Sequence, residues 1–181
     1  SAEETLEKVI RDVEEEDKKA HEDSRRVIET VKEEIDRVHK DSKRKIDEVK
    51  ERIRREVRDE ETMKKVEEEL EKLLKEDRDI IKEIKERLDE LLKDDKRISD
   101  ESRKRLKELL DRLREVSRRE NLEERVRRIV KEVREIVKRS KERSDEIVKE
   151  VKRIVKEALD LSREIVERVE RIVREVVERA R

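Results

Sequence analysis

Glycine, proline, cysteine, phenylalanine, tyrosine and tryptophan are all missing from this 181-residue chain. Without glycine or proline, many-turned sandwiches, barrels and glycine-rich phosphate loops lose the residues that punctuate them. Without cysteine there is no disulfide, no thiolate nucleophile and no cysteine-based zinc or iron–sulfur site. Without aromatic rings there is no stacking platform for bases and no cage for a cation. A surplus of one charge is missing too: 55 Lys and Arg stand against 56 Asp and Glu, for a net charge of −1. That balance argues against a dedicated binder of nucleic acid or of an anionic membrane. No segment approaches the ~20 apolar residues of a membrane span, and none has the apolar centre of a signal peptide. A soluble chain without a targeting signal is expected, and nothing points to a cofactor.

What is present is charge: 61% of the residues are Asp, Glu, Lys or Arg, and only 30% are hydrophobic. Such a composition invites disorder. Leu, Ile and Val nevertheless make up roughly 27% of the chain, above the ~20% below which disorder is expected. Their placement is helical. Leu6, Val9, Ile10 and Val13, then Val27, Ile28, Val31, Ile35 and Val38, recur at steps of three and four. The same spacing carries Leu70, Leu73, Leu74, Ile80, Ile81, Ile84 and Leu88, and again Val126, Ile129, Val130, Val133, Ile136 and Val137.

Two interruptions divide the pattern. The first follows Val57, where Asp59 reads as an N-cap and Glu60 and Glu61 suit the positive end of the next helix dipole. The second is Ser117 to Leu122, where Asn121 with Glu124 reads as a capping box, as do Ser1 and Glu4 at the start. The spacing predicts three helices, about 2–57, 60–117 and 122–180, within a single domain. At 1.5 Å per residue each is roughly 85 Å long.

A repeat of 18 residues runs through all three. Ala20-His21-Glu22-Asp23-Ser24 is echoed by Val38-His39-Lys40-Asp41-Ser42. The pairs Leu73/Leu74, Leu91/Leu92 and Leu109/Leu110 keep the same step, as do Ile129-Val130, Ile147-Val148 and Ile165-Val166. Eighteen residues complete five turns at 3.6 per turn, so the apolar stripe does not drift, whereas a seven-residue repeat imposes a left-handed supercoil. The expected fold is all-α: an elongated, nearly untwisted antiparallel three-helix bundle, up-down-up. One register satisfies every apolar layer, placing Leu6 with Leu113 and Val126, and Ile46 with Leu73 and Val166. That register also groups Ser24 with Asp95 and Ser144, and Ser42 with Asp77 and Ser162. It sets Asp17 with Ser102, and Ala20 with Ser99 and Ser140, with His21 one position away. Polar residues meeting under a register set by apolar ones indicate buried hydrogen-bond layers, with His39 beside Ser42 belonging to the second.

These groups have chemical readings as well. Asp17, His21, Ser24 and Ser99 are ingredients of a nucleophilic triad. Regular helices, however, leave few free backbone donors for an oxyanion hole. His21 and His39 lie about 27 Å apart along one helix, so any metal site would have one His and a poor ligand set. The structural reading is stronger: paired Ser and Asp forbid wrong registers, since buried polar groups are costly when unpaired. Basic stretches such as Arg125-Val126-Arg127-Arg128 are interleaved with acids within a turn or two, as on a solvated face.

With its 18-residue repeats, Ser/Asp/His layers, Glu/Lys/Arg surface and lack of Gly, Pro and aromatics, the whole chain resembles computationally designed helical bundles with built-in hydrogen-bond networks. Two departures are the absence of glycine from the loops and the concentration of polar layers in helix 1. The resemblance implies a scaffold, an assembly component, half of a designed heteromer or a switch framework. A monomeric, non-enzymatic scaffold that requires no partner is the leading expectation. The alternative is a binding or assembly module that self-associates or accepts a partner helix, docked where Ile136, Ile154 and Ile172 mark the edge of the helix 3 stripe.

Overall fold

A computed structural model describes residues 2–116 and 122–180. Among them are three α-helices and no strand: α1 (Ala2–Glu56), α2 (Glu60–Val116) and α3 (Leu122–Ala180). The helices pack against one another as an all-α three-helix bundle. The expected capping boxes rest on Ser1 and Asn121, which lie outside the described residues.

The break between α1 and α2 follows from local chemistry. The Val57 N–H still donates to the Ile53 carbonyl (2.8 Å), which closes the last turn of α1. Asp59 then starts α2. Its Oδ1 accepts from the Glu61 N–H (3.3 Å) and its Oδ2 from the Thr62 hydroxyl (2.7 Å). Its carbonyl accepts the first helical bond, from the Met63 N–H (3.0 Å). A carboxylate here satisfies donors that have no partner within the helix, at the end where the dipole favours negative charge.

The packing divides into two compact units, each taking one segment from every helix. Unit 1 comprises Ser1–Glu29 and Asp89–Val151. Its aliphatic cluster includes Leu6 and Ile10 of α1, Leu106, Leu109 and Leu113 of α2, and Ile129, Val133 and Val137 of α3. Pairing of Glu7 with Arg114 and of His21 with Asp95 shows α1 and α2 running antiparallel in this unit. Pairing of Glu16 with Lys141 and of Ser24 with Ser144 shows α1 and α3 running parallel.

Unit 2 comprises Thr30–Leu88 and Lys152–Arg181. Ile46 and Ile53 of α1, Leu70, Leu73 and Leu74 of α2, and Ile165 and Val169 of α3 form its aliphatic cluster. Here too α1 and α2 are antiparallel, with His39 on Asp77 and Arg54 on Glu67. Ser42 on Ser162 keeps α1 parallel to α3. Each unit therefore holds an aliphatic cluster and a polar layer on the same three helices.

Candidate functional site

In unit 1, Asp17, His21 and Ser24 of α1 are spaced four and three residues apart, so all three share one face. Asp95, Ser99 and Ser102 of α2 repeat that spacing, and Ser140 and Ser144 of α3 are four apart. All eight side chains are buried. His21 joins the three helices. Its Nδ1–H donates to Asp95 Oδ1 at 2.8 Å, and its Nε2–H donates to Ser140 Oγ at 2.7 Å. Asp17 Oδ1 stands 3.3 Å from the same Nε2. The Ser144 hydroxyl donates to Asp95 Oδ1 at 3.4 Å, so its oxygen is left to accept from Ser24, which it touches closely. Ser24 Oγ also lies 3.1 Å from the Ala20 carbonyl.

Charge follows from this geometry. Burial works against an imidazolium at His21, but hydrogen bonds and charge from Asp17 and Asp95 outweigh it and raise the pKa to about 9. Burial likewise opposes ionisation of Asp17, yet polar contacts with His21, Ser140 and Ser102 lower its pKa below the ordinary value. Those contacts are loose. Neither Asp17 oxygen nor Ser102 Oγ receives a hydrogen bond of ordinary geometry among the described residues.

Unit 2 carries the smaller version. His39 Nδ1–H donates to Asp77 Oδ2 at 2.5 Å, and Ser42 and Ser162 are bonded at 3.0 Å. Asp77, Ser42 and Ser162 are buried, while the His39 side chain keeps 22% of its surface exposed. The two layers are one 18-residue step apart, His21 to His39, Ser24 to Ser42, Asp95 to Asp77 and Ser144 to Ser162. The remaining unit 1 positions do not repeat: Asp17, Ser99, Ser102 and Ser140 correspond to Ile35, Ile81, Ile84 and Ala158, all buried.

Of the expected groups, Ser24 is bonded to Ser144, Ser144 to Asp95 and Ser42 to Ser162, whereas Asp17 and Ser102 share no hydrogen bond. The register set Asp77 and Asp95 beside serines, whereas each has a histidine as its nearer partner. The signal was available, because His21 precedes Ser24 by three residues and such helix neighbours lie side by side. A residue next to Ser24 on that face is within reach of whatever Ser24 faces.

Asp95, His21 and Ser140 have the hydrogen-bond order of a nucleophilic triad. A base in that order must be neutral, and this ring keeps its proton up to about pH 9. The serine is 4% exposed. Among the described residues no group of three His, Cys, Asp or Glu is placed to hold a metal ion, and no helix is long and apolar enough to cross a membrane.

On the surface, the expected docking edge is altered. Ile154 is 1% exposed and belongs to the core, whereas Ile136 and Ile172 are half-buried at its margin. In unit 2 an apolar groove of about 270 Å³ lies between α1 and α3, lined by Ile35, Val38, Val155, Ala158 and Leu159. Its Leu159 stands one repeat after Lys141, whose Nζ donates to Glu16 in unit 1 at 3.1 Å. No protein-family model, curated protein or solved structure matches this chain.

Proposed function

We propose that this chain is a designed structural scaffold whose polar layers fix the register of three helices and carry out no reaction. One observation supports this reading above the others: the same Ser–Ser and His–Asp bonds recur 18 residues apart, each tying different helices together. In an aliphatic core, a slip of one or two turns leaves those groups unpaired, and each unpaired buried group costs about 1–3 kcal/mol. The surface fits the same role. Its ion pairs, such as Arg54–Glu67 and Arg168–Glu76, are exposed and of both signs, which suits solvation more than recognition.

A second reading, an assembly module that accepts a partner helix, is favoured by the unit 2 groove. There a leucine replaces the lysine that the repeat supplies, beside Glu34. Light scattering coupled to size exclusion separates the two. The scaffold reading expects a monomer mass at all concentrations. A larger species that disappears in Leu159→Lys supports the assembly reading and overturns the first.

A further inference from the structure

His21 is clamped from two sides. Asp95 of α2 lies 2.8 Å from Nδ1, and Asp17, one turn earlier on α1, lies 3.3 Å from Nε2. From α3 the ring meets only hydroxyls, Ser140 directly and Ser144 through Asp95. The cations of that stretch of α3 are turned to the surface, Lys141 on Glu16 and Arg143 on Glu101. Among the described residues no lysine or arginine is buried, so the imidazolium is the positive charge available to two buried carboxylates. Unit 2 has no such clamp, because Ile35 occupies the position that corresponds to Asp17.

We propose that Asp17, His21 and Asp95 form a proton-operated lock on unit 1: the protonated ring holds the two carboxylates together, and its loss of that proton to solvent base opens the unit. Once the ring is neutral, it can donate from one nitrogen only, and both carboxylates are left buried without a counter-charge. A histidine buried among neutral groups behaves in the opposite way and opens as the pH falls. In this cluster the closed state extends through neutral pH. The ring pKa of about 9 places release on the alkaline side.

Hydrogen exchange of the full chain, read by mass spectrometry at about pH 6 and about pH 9.5 and corrected for the intrinsic rate, tests the lock. The expected result is an increase in the opening equilibrium on the order of 100-fold around residues 17–24, 95–102 and 140–144. The unit 2 aliphatic cluster should not share that increase. Asp17→Asn, which keeps the shape but removes one carboxylate, should weaken the alkaline opening. Equal opening of both units, or an unchanged response in Asp17→Asn, would overturn the proposal. If that variant does not fold, imidazole nitrogen shifts of the unaltered chain decide. A His21 titration midpoint above about 8 supports the lock, and any lower midpoint overturns it.

Discussion

Asp95 accepts from both His21 and Ser144, so its two donors are not equivalent. Replacing Ser24 and Ser144 by Val and Ala leaves the imidazolium bond in place, and the expected loss is about 1–2 kcal/mol in chemical denaturation. His21→Leu is the more damaging change. It strands Asp17 and Asp95 in the core without a counter-charge, with an expected cost of about 3–5 kcal/mol. A serine variant that loses as much as His21→Leu would mean that the hydroxyls, and not the ring, hold Asp95. The pH dependence has a definite sign. His21 has a pKa raised from 6.5 to about 9, so its contribution is complete below 6.5 and is lost as the pH rises through 9. Asp17 has a lowered pKa, so its contribution is present above 3.8 and is lost as the pH falls further. The unfolding free energy should therefore be greatest between 3.8 and 6.5 and then decline, by at most on the order of 3 kcal/mol, towards pH 9. Denaturant titrations across that range check it, and a flat profile from pH 6 to 9 contradicts it.

At the scale of one helix, α2 begins on a single side chain. Asp59→Ala removes the acceptor for the Glu61 N–H and the Thr62 hydroxyl, and should cost about 1 kcal/mol in thermal or chemical denaturation. Asp59→Asn should recover most of it, because an amide oxygen also accepts. This cap was legible in advance because an N-cap is a local event, settled by Asp59 and the three residues after it. The helices were legible for a related reason: Leu, Ile and Val at steps of three and four can share a face only in a helix. Partner choice within the polar layers was harder to read. Register arithmetic aligns Cα positions, but an imidazole spans nearly a turn, so His21 reaches past Ser99 to Asp95. The want of a hydrogen bond at Asp17 and Ser102 was not legible either, because hydrogen-bond geometry depends on rotamers and on angles that residue spacing does not encode. Nor did the uniform periodicity of each helix signal that the packing divides at Glu29, Leu88 and Val151.

For the molecule as a whole, the interest lies in how the two polar layers differ. Making unit 1 resemble unit 2 through Asp17→Ile, Ser99→Ile and Ser102→Ile removes polar groups together and leaves His21 on both Asp95 and Ser140. Such a replacement is often neutral or stabilising, so the denaturation midpoint should hold or rise. Light scattering should then reveal additional masses, because polar groups that exclude competing pairings have been deleted. A variant that stays a single species of parental mass would show that hydrophobic packing alone selects the assembly. The reason is one of counting. A helix built on an 18-residue period resembles a ruler with identical graduations. Slid by one graduation, about 27 Å, α1 would offer His39 to Asp95 and Ser42 to Ser144, and that layer would not register the error. Asp17 breaks that degeneracy: in the displaced alignment its place falls to Ile35, and the hydroxyls of Ser102 and Ser140 would face a hydrocarbon. The four residues that do not repeat are the numerals on the ruler, and they give a periodic chain an origin.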